Sequence, residues 1–423
     1  MFGFKRAGGT VCNHVRIHTP LQGERGVFIS KPAWAELSSS ALAHIPASLV
    51  ITAELATRSV IVDQCCKLLG EHVADDAVHL ALFLLTEKAI GATSQWKWYL
   101  DTLPHSPINA LDFGESDMAA LSGTPLRPAI EAKLRQLRRH YDSIASALEN
   151  WKRSHKLNGS VSFDTYKWAH TIVLSRSISL QSCENASMYG TCDRALLPFL
   201  DMFNHSSHPT AFWTVNDDKS ISICAANTSD TPQACPDNPQ LVELCFYYGD
   251  KPNTEWIYEY GFLPNDNDHD AWPFFVELQG SLNFKELKQL WFQELGLLPR
   301  IMLPDPATAG ENQDLPFDTL LVLCLAALDD ACDQFGCKVG LVELDPPYFS
   351  VNGRLIDDPE LLVHVPGLAS WALQKCAFLL EKQSLVMQDA SQLPELKSVV
   401  RKYLETQCKL TKRLAALIAL VEI

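Results

Sequence analysis

The chain has 423 residues and a mass of 47.1 kDa, enough for one large domain or two ordinary ones with substantial cores. Apolar residues make up 47% and charged residues 20%, a globular composition that excludes a disordered polymer. The 50 acids against 35 bases leave a net charge of −15, which argues against general grip on a phosphate backbone, since that takes clustered Lys and Arg.

The opening MFGFKRAGGTVCNHVRIH has no apolar run and no small-residue cleavage site, so no secretory signal is expected. Residues 11 to 62 read as short extended pieces with turns: GERGVFIS runs from a Gly-punctuated turn into Val27, Phe28 and Ile29, and HIPASLVIT is a second such piece. From about Ala74 the period becomes helical. ADDAVHLALFLLTEKAIG has acids at its start and Gly at its end, and EAKLRQLRRHYDSIASALENWKRS puts Leu134, Leu137, Tyr141 and Ile144 on one stripe. A second β-and-loop region follows, with AFWTVNDD, KSISICAAN and LVELCFYYGD as strand candidates and Asn-Asp-Asp as hairpin-turn chemistry. Beyond about Pro273 the periods are helical again, ending in Leu410, Leu414, Leu417 and Val421 at spacings of four, three and four, while PRIMLPDPATAGENQDLP reads as a loop.

The longest uncharged apolar runs, Leu320 to Leu328 and Leu414 to Val421, fall well short of the roughly 20 residues a bilayer demands, so no membrane span is expected. The 13 cysteines include no Cys-x-x-Cys pair, and Cys65-Cys66 is poorly placed to clasp one metal. They read as reduced intracellular thiols, with no zinc implied. A cytoplasmic or nuclear monomer that binds neither nucleic acid nor membrane is the expectation. Acidic surface suits a basic protein segment as partner and equally suits plain solubility.

Three clusters carry chemistry. In GERGVF, Gly23 and Gly26 flank a charged pair, so a backbone can approach a ligand closely there; the same residues also make an ordinary turn ahead of a strand. LLPFLDMFNHS ends an apolar segment on Asp201, Asn204 and His205, which need hydrogen-bond partners in such a setting. An Asx turn and a metal site built on His205 and His208 are the alternatives; Pro209 and the lack of a third ligand at proper spacing weigh against the metal. FYYGDKPNTEWIYEYGFLP holds Tyr247, Tyr248, Tyr258 and Tyr260 with two Tyr-Gly pairs. Aromatic clusters of this kind are often plain core or interface. Here the chain is expected to turn after Tyr248 and again after Tyr260, so that both hydroxyls face one cavity.

Taken in order, with SQWKWYLDTLP, LSGTPL and VLSRSISL between them, these clusters resemble the SET-domain methyltransferases, in particular the subfamily of the Rubisco large-subunit lysine methyltransferase. The resemblance covers nearly the whole chain. It implies an α+β fold: a β-rich SET domain over residues 1–275 with a helical insert at about 74–170, then an all-helical C-terminal substrate-binding domain over 276–423. It implies S-adenosyl-L-methionine as cofactor, with the backbone of Glu24, Arg25 and Gly26 at its amino-acid end and Arg176, Asn204, His205, Tyr248 and Phe262 completing its site. Arg176, Asp201, Trp213 and Tyr260 fall on the acceptor side, and Tyr248 and Tyr260 match the catalytic and second channel tyrosines. Two stretches depart from the pattern: Gln181 to Cys192 widens the gap between Arg176 and Asn204, and KPAWAELSSSALA is longer and more helix-like than a strand and turn.

The reaction so implied is transfer of a methyl group to a lysine side chain of a protein. Relatives in the subfamily methylate histidine, and a non-catalytic module of the same fold is the third alternative. The absence of any Gly-x-Ser-x-Gly elbow removes a hydrolase built on His170 or His205.

Overall fold

The computed structural model describes the chain except residues 22–23, 37–40, 71–74, 108, 181–193, 227–233, 276–281, 296, 299, 309–316, 328–338, 343–347, 352–353, 357, 365–367 and 421–423. The departure noted at Gln181 to Cys192 therefore lies outside the described residues. Two compact units are present. One joins Met1–Leu111 to Lys133–Gly249, and the other joins Asp112–Ala132 to Asp250–Ile423.

The first unit carries β1 (Thr10–Val11), β2 (Val15–His18), β3 (Gly26–Ser30), β4 (Ala41–Ile45), β5 (Ile51–Thr52), β6 (Ser177–Ser179), β7 (Arg194–Leu196), β8 (Asn204–His205), β9 (Ala211–Val215), β10 (Ile221–Ala225), β11 (Ala234–Cys235) and β12 (Asn238–Phe246). They form small sheets in the orders β1-β4-β10-β9, β11-β12-β3-β2 and β5-β7-β6, with β8 pairing to β12. Strand β10 shows why: Ile221, Ile223 and Ala225 alternate with less buried residues and drop one face into the core. The expected hairpin turn lies between β9 and β10, where Asn216 N donates to the Ser220 carbonyl at 2.9 Å and Lys219 takes φ +64°.

Helix Asp76–Ile90 is apolar nearly all round and correspondingly buried, with Leu80 to Leu85 at the centre of a second core. Its ends obey the sequence signals. Asp75 Oδ1 accepts from Val78 N at 2.8 Å, and Gly91 turns the chain off at φ +70°. The stripe on helix Leu126–Ser154 packs as expected: Leu137 and Ile144 are fully buried, with Leu134 and Tyr141 against the same core.

Residues 11 to 62 are less extended than their sequence suggests. Helices Lys31–Glu36, Ala53–Thr57 and Val60–Leu69 interrupt the strands. The run Val60-Ile61-Val62 has β-branched chemistry, but Ile61, Val62, Cys65 and Cys66 follow a helical spacing that buries them together.

The second unit has the expected helical character in Leu282–Glu294, Phe317–Ala327, Leu368–Ser391 and Ser398–Leu420. It also has strands. The hairpin of β13 (Ala271–Phe275) and β14 (Arg300–Pro304) places a strand in the stretch read as a loop, and β15 (Val339–Val342), β16 (Tyr348–Val351) and β17 (Arg354–Ile356) form a three-stranded antiparallel sheet. Strand β14 alternates in burial, Ile301 and Leu303 inward, a period that its prolines hide in the sequence. Among the described residues no helix is long and apolar enough to cross a membrane.

Candidate active site

Asn204 is the point where three segments of the first unit meet. Strand β8 lies parallel to the end of β12, with Asn204 opposite Cys245 and His205 opposite Phe246. The Asn204 amide nitrogen Nδ2 donates to Glu243 Oε1 at 2.7 Å on β12 and to the Arg25 carbonyl at 3.3 Å, one residue before β3. Thr210 locks the same corner: its amide donates to the Cys245 carbonyl at 3.1 Å, and its hydroxyl accepts from Cys245 N at 2.9 Å. The crossing is so tight that a Cβ on Gly26 would stand 2.3 Å from Glu243 Oε1 and 2.8 Å from Asn204 Nδ2. A side chain there would have to push aside the Glu243 carboxylate or the Asn204 amide, so glycine is what lets the two close on the Arg25–Gly26 backbone.

Tyr248 follows β12 and folds back over this corner. Its hydroxyl donates to the Phe203 carbonyl at 2.5 Å, and its amide donates to His205 Nδ1 at 3.3 Å, with the two rings 5.4 Å apart. Burial holds the His205 imidazole down to about 4, partly offset by the Phe246 backbone, so the ring is neutral at physiological pH. Gly249 then takes φ +101° and turns the chain away, as the Tyr-Gly pair led us to expect.

Beside Asn204 lies a buried charge centre. Helix Phe163–Arg176 ends on Arg176 and passes directly into β6, which pairs with β7 and so delivers the guanidinium to the segment after β7. Arg176 Nη1 donates to the Asp201 carbonyl at 2.6 Å and stands 3.7 Å from Asp201 Oδ2. The Tyr99 hydroxyl donates to that same Oδ2 at 3.0 Å. Burial raises the Asp201 carboxyl while Arg176 pulls it back, and the fully buried Tyr99 phenol is pushed well up. Arg25 Nη2 donates to the Thr102 carbonyl at 2.6 Å; burial, then the charge of Arg176, lower its pKa, with Asp201 opposing. Two guanidiniums thus bear on one carboxylate, whose Oδ1 is buried with no hydrogen-bond partner among the described residues.

Of the residues singled out by sequence, Arg25, Gly26, Arg176, Asp201, Asn204, His205 and Tyr248 come together in the first unit. Glu24 is exposed at the mouth of β3. Trp213 lies on the edge strand β9, partly buried against the sheet core. Tyr260 and Phe262 belong to the second unit, where they form a ring cluster with Trp256 at centroid distances of 5.2 and 5.3 Å, and Gly261 between them takes φ +75°. The exit of that turn is held by Lys402, whose ammonium donates to the Leu263 and Pro264 carbonyls, each at 3.3 Å.

Three participants escaped the sequence reading. Glu243 was visible as the one charge inside LVELCF. Tyr99 sits in a segment noted only as family-like. Phe199 gave no signal: it takes φ +78°, rare for a bulky residue, and is held there by stacking on Phe4 at 5.4 Å and meeting Phe203 edge-on at 5.7 Å. That bend starts the turn Leu200–Met202 and sends the Asp201 carboxylate inward.

No protein-family model matches the chain. Over 234 residues, 53% of its length, it is 26% identical to the actin-histidine N-methyltransferase of Danio rerio and 24% identical to that of Homo sapiens. The match spans 36% of the length of each of those relatives. Among solved structures it is similar to Rubisco LSMT bound to AdoMet, with a TM-score of 0.68 and 17% identity over 99% of this chain and 89% of that one. The SET domain of LSMT bound to lysine and AdoHcy gives a TM-score of 0.67 at 17% identity, over 99% and 88%. The chain has the SET-domain fold of those structures.

Proposed function

We propose that this chain is an S-adenosylmethionine-dependent protein N-methyltransferase whose acceptor is a lysine side chain. The carrying observation is the Asn204 corner, on which Tyr248 and the Arg176–Asp201 centre are fixed side by side in a SET-domain fold.

The residues fit the cofactor. Its amino-acid end is a zwitterion, and the cluster offers both complements: guanidiniums at Arg25 and Arg176 for a carboxylate, and the orphaned Asp201 Oδ1 for an ammonium. Arg25, Gly26, Arg176, Asp201, Asn204 and His205 are the residues that would hold it. When bound, that group supplies a methyl on a cationic sulfonium, open to in-line attack. The chain's own part is placement. Tyr248, pinned by the Phe203 carbonyl, presents its phenolic oxygen to the reacting atoms, and orientation of this kind is worth roughly 7–11 kcal/mol of barrier in favourable cases.

A lysine acceptor has an ordinary pKa of ~10.4 and must lose its proton first. Trp213, Tyr260 and Phe262 keep, within this proposal, the acceptor-side roles that the family resemblance implies, and Phe262 also its cofactor contact. Apolar walls of that kind disfavour an ammonium and lower its pKa. The same reading gives residues 1–275 as the SET domain, the helical region from about 276 as the substrate platform, and an intracellular monomer.

A second acceptor is supported by the relatives in sequence, which are named for histidine methylation of actin. A neutral imidazole already has its lone pair available at neutral pH, so it asks for no deprotonation. The deciding experiment incubates the purified chain with methyl-labelled S-adenosylmethionine and a cell lysate, then identifies the labelled residue by mass spectrometry. Methyl-lysine upholds the first reading and methyl-histidine moves it to the second. Binding of S-adenosylhomocysteine by calorimetry, without label above that of Tyr248→Phe in any protein, reduces the chain to a non-catalytic module.

A further inference from the structure

Where the end of β2 meets β11 and the turn after it stands a second cluster, which the methyltransferase reading does not use. We infer that His18, Cys235 and Asp237 form a binding site for a borderline divalent cation such as Zn²⁺. His18 Nε2, Cys235 Sγ and an Asp237 carboxylate oxygen all lie within 4.8 Å of one another. Nitrogen, sulfur and oxygen donors in this combination are the set that zinc takes.

The donors are held before any metal arrives. The Asp237 carboxylate is fixed through Oδ2, which accepts from Leu21 N at 3.0 Å. That leaves Oδ1 toward the other two donors, 3.5 Å from His18 Nε2 and 2.8 Å from Cys235 Sγ. The His18 ring is held edge-on to Phe28 with centroids 5.5 Å apart. Phe28, Cys235 and Leu241 form a small buried cluster of their own, so the thiol side is dry while the His18 side chain keeps 31% of its exposure. With metal–sulfur bonds of ~2.3 Å and metal–nitrogen or –oxygen bonds of ~2.0–2.2 Å, the edges of a tetrahedral site are about 3.4–3.6 Å. The His18–Asp237 edge already has that length, and the Cys235–Asp237 edge opens by less than an ångström once its hydrogen bond is replaced.

Binding is a plain exchange. The Cys235 S–H bond breaks, its proton leaves to solvent, and the thiolate lone pair forms the metal–sulfur bond, with water in the fourth position. No spacing motif announced the site, because His18 and Asp237 are 219 positions apart and meet only through the sheet. Its effect would be to tie β2 to the turn between β11 and β12.

The test is a titration of the metal-free full chain with Co²⁺, following the thiolate-to-cobalt charge-transfer band. We expect one cobalt per chain, displaceable by Zn²⁺, with the band absent in Cys235→Ser and the affinity lowered at least about tenfold in His18→Gln. His18→Gln alters a part-exposed side chain, so it reports even where Cys235→Ser does not fold. A chain that shows no saturable band, or whose titration His18→Gln leaves unchanged, overturns the site.

Discussion

The Tyr248 hydroxyl donates to the Phe203 carbonyl at 2.5 Å, which places a phenol from the end of β12 directly on the turn that delivers Asn204. Little freedom is left to the ring, since its own amide is tied to His205 Nδ1. Loss of the hydroxyl in Tyr248→Phe costs one hydrogen bond in stability, about 1 kcal/mol, so the fold survives. We expect methyl transfer to fall by about 10²–10³-fold, as when one preorganised polar group is deleted from an active site. Single-turnover labelling measures the loss, and calorimetric titration with S-adenosylhomocysteine should show affinity within threefold, a limit set at about 0.6 kcal/mol by the usual conversion.

Gly26 offers a cleaner test of the corner itself. An added methyl group meets Glu243 Oε1 at 2.3 Å, so in Gly26→Ala either the Glu243–Asn204 hydrogen bond breaks or β3 moves off β12. Overpacking of this kind costs about 1–3 kcal/mol. The expected result is a lowered midpoint in denaturant together with weakened S-adenosylhomocysteine binding. Adding Glu243→Ala to Gly26→Ala removes the nearer of the two clashes and should return part of the stability without returning the affinity, because Asn204 then keeps only the Arg25 carbonyl of its two acceptors.

Asp201 stands between two guanidiniums and a phenol, and its replacements separate charge from shape. Asp201→Ala leaves Arg176 and Tyr99 without their shared oxygen in a buried place, and breaking such a pair costs about 3–5 kcal/mol. Asp201→Asn keeps an oxygen for Tyr99 and should retain most of the fold, while losing the charge proposed to face the cofactor's ammonium. Thermal melts of the two variants, run beside binding isotherms, are expected to separate them: Asn unfolds near the parent and binds weakly, whereas Ala is impaired in both.

How much of this was legible depends on the range of the interaction. Asn204-His205, the two Tyr-Gly pairs and the helical stripe from Leu134 to Ile144 are local patterns, and each could be read from spacing. Glu243 belongs to the corner only because β12 pairs with β3 and β8, and Gly26 meets it across 217 positions. Phe199 is the extreme case: its left-handed backbone is held by Phe4 and Phe203, and no local propensity favours it. The strand in RIMLP was hidden for another reason. Its alternation is real, but its flanking prolines carry the turn signal, and only pairing with β13 decides the outcome.

The stability of the chain should depend on acid with two opposed contributions. The His205 imidazole is held down to about 4 in the folded chain by burial, against an ordinary value of ~6.5. Between those values the unfolded chain binds the extra proton, so this contribution is complete above about pH 6.5 and is lost as pH falls toward 4. Asp270, in the second unit, has the reverse sign. Its carboxyl is pushed up to about 6 by burial, with hydrogen bonds from Asn253, Gln407 and Ala271 pulling the other way. There the folded chain holds the proton more tightly, which adds stability below about pH 6 relative to neutral pH. Denaturant midpoints measured from pH 7 to pH 4.5 should therefore fall less steeply in His205→Gln than in the parent, and more steeply in Asp270→Asn. Parallel curves for all three chains would mean that neither group changes its proton affinity on folding, and that the neutral ring assigned to the Tyr248 corner is wrong.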